Sequence, residues 1–176
     1  MARTGRPPIP RITLEPPPIP GTRWVPLTCG KFAKIDEADF ERVSQHRWCV
    51  SEAGRARSLL YAVSWIGRKR VYLHHFILGV IGVDHRNGDG LDNRRENLRP
   101  ATSQENHHNS VVRADSKTGF KGVNFDKRGF YRAWICIGRR HKKHLGCFKD
   151  PKDAARAYNV AAKSLHGDFA RLNEGV

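Results

Sequence analysis

Asp84 and His85 stand side by side in the chain, Asn97 follows twelve residues after the histidine, and Asn106 nine residues further on. One carboxylate and one amide oxygen are enough to hold a hard divalent cation such as Mg²⁺, which takes oxygen donors and keeps several of its waters. Such an ion polarises a phosphodiester and stabilises a leaving 3′ oxygen. A neutral imidazole nearby takes the proton of an attacking water at neutral pH. The set suits phosphodiester hydrolysis, provided the chain brings it to one point.

The elements that must do so are legible. "VDHRNGDGLDNRRENLR", residues 83 to 99, is dense in Asn, Asp and Gly, which turn a chain through their side-chain hydrogen bonds and tolerance of positive φ. An EF-hand calcium loop needs glycine at position six and glutamate at twelve. Starting at Asp84 puts Asp89 sixth and starting at Asn87 puts Asp92 sixth, so that reading fails. A hairpin fits better, with Val83 to Arg86 as one strand and "NLRPA" as its return. Thr102-x-x-Glu105 then matches a capping box at a helix start, and Asn106 falls on the first turn, facing back toward Asp84 and His85. His107 and His108 point elsewhere on such a helix, to solvent or a DNA backbone.

"VDHRNGDGLDNRRENLRPATSQEN" resembles the HNH motif of phage and intron-encoded homing endonucleases, which have the ββα-metal fold. The resemblance implies His85 as general base, Asp84 and Asn106 as holders of a metal, Mg²⁺ or another divalent ion such as Mn²⁺, and Asn97 as the residue that ties the hairpin and orients the site. Asn106 stands where the family motif has histidine, an arrangement of the homing branch that favours a hard metal over zinc. The upstream "VPLTCGKFAKID", "HRWCV" and "VYLHHFILG" resemble the leader of phage HNH proteins, in which a histidine like His74 precedes the site.

The whole chain supports a polyanionic partner. At 176 residues it carries a net charge of +15 and a pI near 10.3, which points to nucleic acid before an anionic membrane. No apolar run approaches the roughly 18 residues a membrane span needs, and the N-terminus lacks the apolar core of a signal peptide. Cys29, Cys49, Cys136 and Cys147 show no paired spacing, which predicts reduced thiols rather than structural zinc. Eight of the ten prolines lie within residues 7 to 26, so residues 1–23 read as an extended, mobile basic arm. From Val25, short strands are expected in "VPLTCGKFAKID" and "HRWCVSE", with a helix between them capped by Asp36. A strand is expected in "SLLYAVSWIG", and "KRVYLHHFIL" reads as a strand that ends as a helix. Trp48, Tyr61, Trp65, Tyr72 and Phe76 are the expected core of this region.

From residue 110 on, fifteen Lys and Arg oppose six Asp and Glu, which is +9 of the total. "KGVNFD", "YRAWICIG" and "KHLGCF" have strand length, and a helix is expected from Asp150 with Pro151 at its first position, an alanine-rich stripe and Gly167 as C-cap. Alternation in "YRAWICIG" sends Ala133 and Ile135 to the helix and leaves Arg132 and Trp134 on the open face. The segment strongly resembles the AP2/ERF DNA-binding domain through its "KGV", "RAWI", "HLGCF", "AARAYNVAA" and "HGDFARLN" blocks. In that family a three-stranded sheet reads DNA while the helix braces it, which implies Lys121, Asn124, Asp126, Arg132, Trp134, Lys142 and His144 as DNA-binding positions. Asn124, Asp126 and His144 depart from the plant pattern, so the plant target does not carry over.

The expected organisation is an α+β chain. It comprises the arm, an HNH nuclease domain over 24–109 with its ββα-metal core at about 82–109, a linker at 110–118, and an AP2/ERF-like domain over 119–176. The expected function is a site-specific homing-type DNA endonuclease, monomeric on double-stranded DNA in a bacterial host cytoplasm, with no membrane and no small-molecule cofactor. The alternative is a non-catalytic DNA-binding regulator that keeps a vestigial HNH fold.

Overall fold

The computed structural model describes residues 15–53, 59–112, 115–138 and 141–176. Residues 1–14 of the expected arm lie outside them. Chain contacts divide the protein into two compact units, residues 1–77 with 90–95, and residues 78–89 with 96–176. The ββα segment is thus grouped with the C-terminal residues rather than with 24–77.

In the first unit, β1 (Thr22–Pro26) and β2 (Phe32–Asp36) form an antiparallel pair. A 3-10 turn at Glu37–Asp39 leads into the short α1 (Phe40–Ser44). The expected cap at Asp36 is not made, because its carboxylate instead accepts the Arg95 backbone N–H at 2.7 Å. β3 (Cys49–Ala53), β4 (Leu59–Ile66) and β5 (Lys69–Tyr72) make an antiparallel sheet, and β5 runs directly into α2 (Leu73–Leu78). The part of the arm that is described is docked. The Trp24 indole donates to the Pro17 carbonyl at 3.0 Å, and Glu37 N–H to the Gly21 carbonyl at 3.0 Å. Trp48 is buried, its indole bonded to the Val43 carbonyl at 2.9 Å, with its ring against Phe76. Trp65 corrects the expected core, being 69% exposed near the end of β4, where it pairs with Arg70 of β5 but lies beyond the last β3 partner at Val63. Residues 90–95 belong here as well: Lys34 N–H donates to the Leu91 carbonyl and Asn93 N–H to the Lys34 carbonyl, both at 2.8 Å, and Arg95 forks onto Asp39 at 2.9 Å.

In the second unit, β6 (Val83–His85) and β7 (Leu98–Pro100) form the hairpin, and α3 (Ser103–His108) follows. β8 (Val123–Phe125), β9 (Tyr131–Cys136) and β10 (Lys142–Phe148) make an antiparallel sheet with β9 central. α4 (Pro151–His166) packs on it, capped by the Asp150 carboxylate on Lys152 N–H at 2.7 Å and closed by Gly167 at φ 53°. Alternation along β9 turns Ala133 and Ile135 to the helix, where both are essentially fully buried with Ala154, Ala155, Tyr158 and Ala162. Small alanines bring the helix close enough for these contacts, and burying Ile135 alone contributes about 1.5–3 kcal/mol. Leu165, near the end of α4, is exposed. All four cysteines are free thiols.

Candidate active site

The hairpin register sets Val83 opposite Pro100, Asp84 opposite Arg99 and His85 opposite Leu98. Asn97 closes its mouth twice: the side-chain oxygen accepts Asn87 N–H at 3.0 Å, and the carbonyl accepts Arg86 N–H at 2.8 Å. Asn87 in turn accepts Asp89 N–H at 2.8 Å, so the Asn-rich sequence is spent on turning the chain. The capping box forms, with Glu105 N–H on Thr102 Oγ1 at 3.3 Å and Thr102 N–H on Glu105 Oε2 at 2.8 Å. The Thr102 N–H, and the Thr102 hydroxyl donating to the same oxygen at 2.7 Å, hold the Glu105 carboxyl below its usual range. They also fix where α3 begins, and hence where Asn106 lands. Asn106 Nδ2 donates to the Val83 carbonyl at 3.2 Å, a bond that engages the amide nitrogen and not the amide oxygen.

Asp84, His85, Asn97, Arg99 and Asn109 are all buried. A carboxylate so enclosed must be paired and hydrogen-bonded. Arg99 sends Nε at 2.9 Å and Nη2 at 2.6 Å onto Asp84 Oδ2, and Asn109 Nδ2 lies 3.1 and 3.0 Å from the two oxygens. Asn109 also donates to the His85 carbonyl at 2.8 Å, so one amide ties the backbone of the histidine to the side chain of its neighbour. Neither Arg99 nor Asn109 was singled out from the sequence. The signals were there: Arg99 follows Asn97 by two and faces Asp84 across the hairpin, and Asn109 lies one helical turn after Asn106.

These donors fit a hard cation. Arg99 places both its N–H groups on Oδ2 and Asn109 reaches both oxygens, so Oδ1 carries fewer hydrogen bonds than Oδ2, and Asn106 has a second oxygen that its Val83 bond does not use. Among the described residues no group of three or more His, Cys, Asp or Glu gathers at one place.

A family model described as HNH endonuclease matches residues 81–108. Over 156 residues the chain is 30% identical to a protein of Acanthamoeba polyphaga mimivirus described as an uncharacterized HNH endonuclease, an alignment covering 82% of this chain and 76% of that one. The chain belongs to the HNH endonuclease family. It is also 29% identical over 91 residues to protein 3.8 of Escherichia phage T7, covering 51% of this chain and 74% of that protein. No solved structure gives a significant match. HNH endonucleases cleave DNA and generally use divalent metal ions.

Elsewhere in this HNH endonuclease, His74 sits buried in α2 within a ring cluster, stacked on Tyr72 at 5.3 Å and edge-on to His75 and Tyr61. On the C-terminal sheet, Asn124 is paired with Arg132 and Trp134 with His144, so these four side chains share the face away from α4. Lys142 is exposed at the start of β10, and Asp126 is ion-paired with Arg132. Lys121 departs from that face. Its ammonium donates to the His108 and Ser110 carbonyls at 2.5 and 2.7 Å, the orphan acceptors at the end of α3, and burial pushes it down to about 8. His108 also departs from the solvent role: its ring stacks on His166 at 3.6 Å, and desolvation followed by the His166 charge lowers its pKa. A cleft of about 880 Å³ is lined by Asn124, Trp134 and Lys142 together with His107 and His108.

Proposed function

We propose that this HNH endonuclease is a site-specific enzyme of the homing type whose AP2/ERF-like C-terminal sheet recognises double-stranded DNA. The observation that carries the reading is that the hairpin–helix with Asp84, His85 and Asn106 and the open sheet face with Asn124, Arg132, Trp134 and His144 belong to one compact unit. The mimiviral and phage relatives favour a viral setting; in our reading the enzyme cuts in the host cell, as a monomer on its target.

His85 accepts the proton of the attacking water, and its burial and the Asn109 bond to its carbonyl restrict how the ring is presented. Asp84 and Asn106 hold the divalent ion, Mg²⁺ or Mn²⁺. When bound, that ion supplies positive charge to the scissile phosphate and to the departing 3′ oxygen. Asn97 ties the hairpin loop through the Asn87 N–H and so keeps the β6–β7 register that carries Asp84 and His85. The ends produced are 5′-phosphate and 3′-hydroxyl. On the sheet, Arg132 and Asn124 offer the donors and acceptors that read guanine and adenine edges, Asp126 holds the Arg132 guanidinium in place, and Trp134, Lys142 and His144 complete the surface. Lys121 acts from below it, by fastening the sheet to α3.

The test is incubation of purified protein with supercoiled plasmid and candidate targets in Mg²⁺ or in EDTA. Metal-dependent nicking or cutting is expected, reduced about 10²- to 10⁴-fold by His85→Ala. Absence of cleavage with every divalent metal would refute the assigned chemistry. Arg132→Ala with Trp134→Ala is expected to weaken target binding steeply while Mn²⁺ binding persists. Unchanged target affinity in that double variant would remove the sheet as reader.

A further inference from the structure

We infer that Arg99 is a positioning residue for Asp84, and that the C-terminal 3-10 turn Gly167–Phe169 sets its position, so the metal-holding carboxylate is completed by a segment far outside the HNH motif. The inference rests on the reading of Asp84 as a metal-holding group.

Three contacts fix the guanidinium. Nε and Nη2 grip Asp84 Oδ2 at 2.9 and 2.6 Å, Nη1 donates to the Asp168 carbonyl at 2.8 Å, and the Phe169 ring lies 3.7 Å from the guanidinium carbon. A planar fork held along one edge, at its tip and on one face has one orientation left. Both gripping N–H groups converge on Oδ2, which Asn109 Nδ2 also meets at 3.0 Å, whereas Oδ1 meets that amide at 3.1 Å and no arginine N–H; the carboxylate is thus turned so that Oδ1 is the oxygen offered to a cation.

The turn is itself anchored. Arg171 donates from Nη1 to the Asn87 carbonyl in the hairpin loop at 3.0 Å and from its backbone N–H to the His108 carbonyl at 3.4 Å. Asn173 brackets the Lys121 backbone, accepting its N–H at 2.6 Å and donating to its carbonyl at 3.1 Å. Residues 168–173 therefore touch the hairpin, the end of α3 and the start of the C-terminal sheet in turn. An HNH segment cut off after α3 would keep Asp84 and Arg99 and lose the turn that fixes the guanidinium.

The experiment uses the full chain and compares wild type with Phe169→Ala, Phe169→Leu, Phe169→Trp, Arg99→Lys and Asp84→Asn. Each is measured for Mn²⁺ affinity by calorimetry without DNA, for the Mg²⁺ concentration giving half-maximal cleavage, for target binding in EDTA, and for melting temperature. Phe169→Ala is expected to weaken Mn²⁺ binding and raise the Mg²⁺ requirement by roughly 3- to 30-fold, the range of a partly desolvated cation–π contact. Phe169→Leu keeps bulk without the π face and is expected to behave alike, so a folding failure of the alanine variant does not remove the test. Arg99→Lys keeps the charge but not the fork and falls in the same direction, whereas Phe169→Trp stays near wild type. Target binding in EDTA is unchanged throughout. Folded Phe169→Leu and Arg99→Lys proteins with wild-type Mn²⁺ affinity and Mg²⁺ dependence overturn the inference. If Asp84→Asn also binds Mn²⁺ and cleaves like wild type, it is the assignment of Asp84 that fails; if Asp84→Asn is inactive while the others are normal, only the role of Arg99 and Phe169 fails.

Discussion

Replacing Asn109 by aspartate exchanges one amide NH₂ for an oxygen and reports directly on how Asp84 is held. The Asn109 nitrogen lies 3.1 and 3.0 Å from the Asp84 oxygens, so the new carboxylate faces the old one at that separation in a buried place. Two like charges so close repel by about 5 kcal/mol at an effective dielectric near 20, and the lost hydrogen bond to a charged group adds about 1.5–3 kcal/mol. Arg99 offsets part of the repulsion. The pair relieves the rest by keeping a shared proton, which raises one folded pKa above the unfolded carboxylate value of about 4. Between those two pKa values the folded state binds more protons than the unfolded state, so stability falls as pH rises through the window. The variant is therefore closest to wild type near about pH 4–5 and is about 2–5 kcal/mol less stable by about pH 7–8. Asn109→Ala lacks the second charge and loses about 1–3 kcal/mol at all pH. Urea unfolding followed by tryptophan fluorescence across that range separates the two. If the aspartate variant tracks the alanine variant at every pH, no carboxylate stands beside position 109 and the account of Asp84 is wrong.

Lys121 gives a slope of the opposite sign. Its folded pKa is lowered to about 8 from 10.5 by burial, then by the Arg171 charge, so the unfolded chain binds more protons between those values. Stability contributed by this group is therefore present above about 10.5 and lost as pH falls through about 8. Relative to Lys121→Met, wild type is expected to gain in melting temperature as pH rises from 8 to 10, and parallel curves would contradict the burial. Gly122 sits at φ 74°, and an added Cβ would run into the Tyr158 ring and the Trp134 carbonyl. Gly122→Ala is accordingly expected to cost about 2–4 kcal/mol from overpacking and left-handed strain, read as a lower urea midpoint, and an unchanged midpoint would show the sheet and helix to be looser than described.

The local elements were legible because their signals are local. Thr102 and Glu105 need only each other to start α3, Asp150 and Pro151 need only the next turn to start α4, and the Asn-rich run turns the hairpin with its own side chains. Alternation in β9 likewise told its helix face from its open face, since a strand has only two sides. Trp65 was misread for the complementary reason. Its type favours burial, but exposure depends on whether another element covers the end of β4, and no pattern within the strand records that. Asp36 was misread in the same way, drawn off its helix by the Arg95 N–H from 59 residues away.

Type and spacing along the chain determined the family, the hairpin–helix that carries Asp84, His85 and Asn106, and the amphipathic sheet and helix of the C-terminal half. Each depends on bonds between residues a few positions apart, or on a hairpin whose register its own turn sets. Tertiary structure alone decided how the Asp84 carboxylate is aimed, through Arg99, Asn109 and the turn at Asp168 and Phe169, and that Lys121 faces inward to the end of α3 rather than out to DNA. Those contacts join segments up to 69 residues apart. They form because a buried charge must find its partner wherever the folded chain brings one, and sequence spacing says nothing about where that will be.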